Sequence, residues 1–272
     1  LTPADDCDWR SAAIDARPDG GAVVVSLGER CEQGSQWRMF TVTRQGEAAE
    51  HVYMRSGGAF LPDSFINQVY YLPDGAHVLA TFPQGRAKNI ANLVLVTLAQ
   101  NTATLITSEV TVDAFPDGMA RHLQLAPDGR SVAYVSSTAN NEFMLHRLAL
   151  DGSTVPVSIS AGARGETIST FFFQPDGGLL YVAGGADGAD NALWLLPAGA
   201  DEPERVIRGR FLRDAGLATD EMALLLEYVP ADEDNDLPEA ANLVTIALGG
   251  RSRAVLVDGR AVEAWAYPLA WR

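Results

Sequence analysis

Apolar residues fall along this chain in short runs, many with every second position polar, and Val, Ile, Leu, Tyr and Thr dominate them. Period-two alternation is the pattern of a strand, and no segment keeps an i, i+3, i+4 stripe over three helical turns. The runs are ordered. "AVVVS" begins at Ala22, "HVLATF" at His77, "SVAYVSS" at Ser131 and "LLYVAGG" at Leu179. Each follows a Pro-Asp-Gly triplet: Pro18-Asp19-Gly20, Pro73-Asp74-Gly75, Pro127-Asp128-Gly129 and Pro175-Asp176-Gly177. Such a triplet turns the chain because Pro presets φ, Asp bonds its own local backbone and Gly tolerates positive φ. An apolar run also leads into each triplet, so each turn is predicted to join the first two strands of a unit.

Two more strands complete the unit. The third are "WRMFTVT" from Trp37, "NLVLVTL" from Asn92, "EFMLHRLAL" from Glu142, "NALWLLP" from Asn191 and "NLVTIAL" from Asn242. The shorter fourth are "EHVYMRS", "ATLITS", "VPVSIS", "ERVIRG" and "RAVLVD". In a fifth, degenerate copy, "LATDEMALLLEYV" from Leu217, Thr219-Asp220-Glu221 stands in for the turn. Four short strands recurring about every 50 residues predict an all-β chain folded as a β-propeller of four-stranded blades. A sandwich also has many short strands, but its strands need not recur in blocks. Five repeats are clear, and "VEAWAYPLAWR" at 262–272 is the candidate for a sixth inner strand or a closing strand, since open sheet edges must be covered. Residues 1–272 are read as one propeller domain.

The units, above all "APDGRSVAYVSSTANNEFMLHRLALDG" and "QPDGGLLYVAGGADGADNALWLLPAG", resemble the PD40, or WD40-like, repeats of TolB-type β-propellers over nearly the whole chain. The resemblance implies the fold. For function it implies only a range: periplasmic scaffold, partner-binding domain, or a domain appended to a peptidase. The chain departs from the group in its fifth turn, and no appended catalytic domain is read in its residues.

In a propeller blade the turns between strands one and two lie on one rim, while loops between strands two and three and those joining blades lie on the other. Pro116-Asp117-Gly118 and Pro62-Asp63-Ser64 each stand one strand ahead of a recurring turn, so they belong to inter-blade loops on that other rim. There we expect an interaction surface that includes Pro62, Asp63, Pro116, Asp117, Asn140, Asn141, Asp187 and Asp190. Cys7, just before the first inner strand, and Cys31, in the first strand-two-to-three loop, fall on the same rim of the same blade. A disulfide between them is expected, and with it an extracytoplasmic compartment. The same rim carries the acidic loop "ADEDNDLPEAAN" at 231–242. Asp232, Asp234 and Asp236 have the one, three, five spacing of a calcium loop, although Leu237 and Leu243 replace the Gly and Glu that such a loop needs.

The charge of −15, from 35 acidic and 20 basic residues with Lys88 the only lysine, repels phosphate backbones, so no nucleic-acid partner is expected. Arg205, Arg208, Arg210 and Arg213 are read as charges that solvate strand edges or pair with nearby carboxylates. No apolar run reaches the roughly 20 residues of a membrane-spanning helix. His51, His77, His122 and His146 never pair at metal-ligand spacing, no G-x-S-x-G elbow occurs, and the serine of "GGRSR" at 249–253 lacks that frame. Phosphate-loop and dinucleotide fingerprints are also missing. The expectation is a non-catalytic, extracytoplasmic, bacterial β-propeller that binds a protein partner, with no cofactor unless calcium. The alternative is a propeller enzyme, a hydrolase or lyase acting on a sugar-like molecule in the central channel.

Overall fold

A computed structural model describes residues 6–57, 68–83, 90–111, 123–137, 143–150, 157–159, 166–185, 191–219, 221–232 and 235–258. The chain forms two compact units, residues 1–118 and 119–272. The first holds two four-stranded sheets. Strands β1 (Cys7–Ala16), β2 (Ala22–Cys31), β3 (Gly34–Thr43) and β4 (Ala48–Gly57) make one; β5 (Val69–Tyr71), β6 (His77–Pro83), β7 (Ile90–Thr97) and β8 (Thr102–Thr111) make the other. Both are antiparallel meanders in sequence order, the blade unit predicted from the repeat. Val24, Trp37 and Met39 of the first sheet bury against Val69, Tyr71, Val78, Ala80, Val94 and Val96 of the second.

The second unit holds three such sheets. They are β9 (Leu123–Leu125) to β12 (Val157–Ile159), with β10 (Ser131–Ser137) and β11 (Phe143–Ala149) between; β13 (Glu166–Phe173), β14 (Leu179–Gly185), β15 (Asn191–Leu196) and β16 (Glu204–Gly209); and β17 (Phe211–Ala218), β18 (Met222–Asp232), β19 (Asn235–Ala247) and β20 (Ser252–Val257). The middle sheet is covered on both faces. Leu179, Tyr181 and Ala183 of β14 join Ala133, Val135 and Leu145 of the preceding sheet. Their alternate neighbours Leu180 and Val182 join Ala223, Leu225, Val244 and Ile246 of the following one. Stacking of sheets within each unit explains why second strands are apolar at both parities, where a one-sided sheet would alternate cleanly. Among the described residues the only helical turn is the 3-10 turn Leu98–Gln100. The proposed closing segment, 262–272, lies outside the described residues.

The Pro-Asp-Gly turn is built the same way in both units. In the third sheet Gly129 N–H donates to the Ala126 carbonyl at 2.8 Å, Ala126 N–H to Ser131 O at 2.8 Å, and Arg130 N–H to the Asp128 carboxylate at 2.9 Å. Gly129 takes φ +66°, a left-handed conformation costly to any residue with a Cβ, which is why Gly holds the place. Asp19, Asp74 and Asp176 accept from the backbone in the same manner. In the fifth sheet the Thr219 hydroxyl takes over, accepting from Glu221 N–H at 3.3 Å and Met222 N–H at 3.0 Å, so the substitute turn keeps an acceptor. A further bond ties the connection after the third strand to this turn in four sheets: Arg44 to Gly21, Leu98 to Ala76, Leu150 to Arg130 and Leu248 to Glu221.

A second device recurs between neighbouring sheets. The Asp15 carboxylate of β1 accepts from Tyr71 N–H of β5 at 2.8 Å, and the Gln124 carbonyl oxygen of β9 accepts from Phe173 N–H of β13 at 3.3 Å. Asp15 and Gln124 hold the same place in their hairpins, since Ala16 pairs with Val23 as Leu125 pairs with Val132. Gln174 adds a third such link, donating to the Thr219 carbonyl at 3.1 Å.

Candidate functional site

The strand ends away from the recurring turns differ from sheet to sheet. In the first sheet Cys7 opens β1 and Cys31 closes β2, directly opposite one another in register, and they form a disulfide with Cα atoms 4.0 Å apart. The expected bond is made, but between strand ends and not between loops. Pairing runs on to Cys31 and Gly34, so β2 and β3 are joined by a tight turn with no loop to hold the cysteine.

Beside the disulfide lies a buried polar group of residues. Glu29 is fully buried on β2, where its carboxylate accepts from the Gln36 amide and, at 3.4 Å, from Arg38 Nη1. Arg38 also grips Glu50 through two bonds of 3.2 Å, and its guanidinium sits 4.7 Å over the Phe40 ring. Its hydrogen bonding to Glu50 is the main reason the Arg38 pKa rises, desolvation opposes it, and Glu29 adds to it. A charge at 29 inside a run with buried Val25 and Leu27 is the sequence signal that points to this group, and reading the strand as uniformly apolar passes over it.

In the third sheet the buried Ser136 hydroxyl and His146 Nε2 lie 2.6 Å apart, with the Tyr134 ring stacked on the imidazole at 4.9 Å. His51 Nε2 lies 2.6 Å from the Thr41 hydroxyl, and burial lowers its pKa against the opposing effect of the Leu98 backbone. His77 pairs with Asp74 in its turn. His122 lies outside the described residues. In the fourth sheet buried Asn191 donates to the Phe211 carbonyl at 3.0 Å.

The fifth sheet departs most. β17 stops pairing with β18 at Glu227 and β20 stops pairing with β19 at Leu243, yet β18 and β19 stay paired through Tyr228–Ala241, Val229–Ala240 and Pro230–Pro238 to Asp232–Asn235. The expected acidic loop is therefore a two-stranded ribbon standing past its sheet. Asp232 lies at the end of β18 and Asp236 within β19, while Asp234 lies outside the described residues. Arg253 pairs with Glu227 at the ribbon's base.

The remaining expected rim residues, Pro62, Asp63, Pro116, Asp117, Asn140, Asn141, Asp187 and Asp190, lie outside the described residues. Arg205 and Arg208 are exposed on β16, as expected of strand-edge charges. Among the described residues one group of three metal-type ligands is close together, Asp6, Cys7 and Cys31, with its ligand atoms within 4.8 Å of one another and its two sulfurs joined. No helix among the described residues is long and apolar enough to cross a membrane.

No protein-family profile matches the chain, and no curated protein matches it in sequence. Solved structures do. TolB from Acinetobacter baumannii is similar at 13% identity and TM-score 0.53, over 93% of this chain and 55% of that one. The β-propeller domain of the trilobed protease from Pyrococcus furiosus is similar at 11% and 0.56, over 94% and 72%. Dipeptidyl peptidase 4 from Porphyromonas gingivalis is similar at 10% and 0.62, over 97% and 41%. The chain thus spans about half of that TolB and less than half of that peptidase. At these identities the likeness is one of fold, and the fold is a TolB-like β-propeller.

Proposed function

We propose that this TolB-like β-propeller is a non-catalytic, extracytoplasmic scaffold of bacterial origin, which binds a protein partner through the rim opposite its recurring turns. The observation that carries the reading is the ribbon of β18 and β19. Among the described residues its pairing runs on beyond the ends of β17 and β20, on the side away from the recurring turns. Unpaired strand edges are surfaces that another chain can complete. The disulfide fits an oxidising compartment. Binding proteins is what the resemblance to TolB-type propellers implies, and calcium held by Asp232, Asp234 and Asp236 remains part of the proposal as an aid to the ribbon's shape.

The test is affinity capture of the native chain from envelope extracts, beside a variant whose residues 229–240 are replaced by Asn-Gly, the two-residue hairpin turn. A stoichiometric partner recovered with the native chain and lost with the variant supports the reading. Recovery of both as lone monomers, or of the same partner with both, overturns it. A chelator titration belongs in the same series: melting unchanged by chelator removes calcium.

A further inference from the structure

We propose that the disulfide end of the first sheet becomes, once reduced, a binding site for a thiophilic divalent metal such as zinc, with the Cys7 and Cys31 thiolates and the Asp6 carboxylate as ligands. The two cysteines are not brought together by the bond alone. They are register partners at the end of a nine-pair antiparallel ladder, so the strands hold both Cβ atoms on one side whether or not the sulfurs are joined. Asp6 precedes Cys7, and its backbone is fastened to the next turn by the bond from Glu32 N–H to the Asp6 carbonyl. Its carboxylate and the two sulfurs lie within 4.8 Å of one another. Zinc binds thiolate at about 2.3 Å and carboxylate at about 2.0–2.2 Å, so ligand atoms at this spacing reach one ion by side-chain rotation alone.

The chemistry of the set favours a soft ion. Two thiolates select zinc over magnesium or calcium, which take oxygen ligands. The surroundings are those of a ligand sulfur: Gln36 Nε2 stands 3.4 Å from Cys7 Sγ, and buried Glu29 holds that same amide in place. Metal sites depend on such outer hydrogen bonds to orient their ligands. Glu32 and Asp6 are exposed, which leaves an approach for the ion and a fourth position for water.

The balance is simple. A dithiol reductant breaks the S–S bond, is itself oxidised to a disulfide, and leaves two thiols on the chain. The metal then replaces their two protons. Because the bond and the metal use the same sulfurs, each excludes the other, and metal binding stabilises the reduced pair by mass action.

The experiment uses the full chain, reduced by a phosphine, desalted without oxygen and titrated with cobalt as a spectroscopic stand-in for zinc. The expected result is one equivalent bound, with thiolate-to-cobalt charge-transfer absorption that zinc abolishes, and slower reoxidation in the presence of zinc. Gln36→Leu weakens binding about 10–100-fold, the usual loss when an outer-shell partner is removed, and Asp6→Asn weakens it as well. Far-UV circular dichroism follows the fold throughout. Absence of the charge-transfer band overturns the proposal. So does binding that Asp6→Asn leaves unchanged, since two thiols on an unfolded chain would give that result.

Discussion

At one end of the sheets the chain solves one problem five times, four of them in one way; at the other, four sheets show four different solutions. Turns at 17–21, 72–76, 126–130 and 174–178 share a carboxylate acceptor and a left-handed Gly, and the fifth, two residues shorter and with Glu221 where the others have Gly, takes its acceptor from the Thr219 hydroxyl. Opposite them stand a disulfide in the first sheet, a Ser136–His146 bond in the third, Asn191 in the fourth and a projecting ribbon in the fifth. A turn that must reverse the backbone in a fixed number of residues has few solutions, so its sequence recurs. An end that only has to be fastened has many, and that freedom leaves room for recognition.

If the two ends differ in this way, breaking each should cost differently. The largest effect belongs to the individual fastening: replacing both Cys7 and Cys31 by Ser should lower stability by about 3 kcal/mol in the chain-entropy account, read as a fall in the denaturation midpoint of the oxidised protein. A midpoint unchanged by the double substitution would mean that the strand ends hold without the bond. Next comes the shared turn, where Gly129→Ala forces a Cβ into the left-handed region at about 1–2 kcal/mol. Thr219→Val removes the acceptor from the fifth turn and should cost about 1 kcal/mol, whereas Thr219→Asp restores the acceptor type used elsewhere and should be nearly neutral. Equal losses from both would show that the fifth turn does not work as the other four do.

The smallest effect depends on pH. Burial lowers the His51 pKa, so the fold prefers the neutral ring. Its contribution is complete above the unfolded value of about 6.5 and is lost as pH falls through that value toward the folded one. His51→Gln should therefore lose more stability relative to wild type at pH 8 than at pH 5. The same difference at both values would mean that the burial is not felt.

The turns and the strands after them were legible because their chemistry is local: Pro, Asp and Gly act on neighbours in sequence. "SVAYVSS" and "LLYVAGG" became β10 and β14 with the ends that the pattern assigned. The disulfide partners were legible from the repeat, though their seats in strands were not. The stretch 231–242 read as a loop because Asp, Asn and Pro are loop formers, and cross-strand pairing outweighed that preference. Glu29, Gln36 and Arg38 escaped because a buried charge becomes intelligible only with its partner, and pairing register is not written in either strand alone. The Asp15–Tyr71 bond spans 56 residues, beyond the reach of any local rule.

That bond and its counterpart from Gln124 to Phe173 have a consequence for motion. The amides of Tyr71 and Phe173 are capped by side chains belonging to the sheet before them, so neither can exchange its hydrogen with solvent by fraying of its own hairpin alone. Each reports the parting of two sheets. Their exchange rates would time how often neighbouring sheets come apart, and Asp15→Ala would convert the Tyr71 amide into a reporter of its own hairpin only.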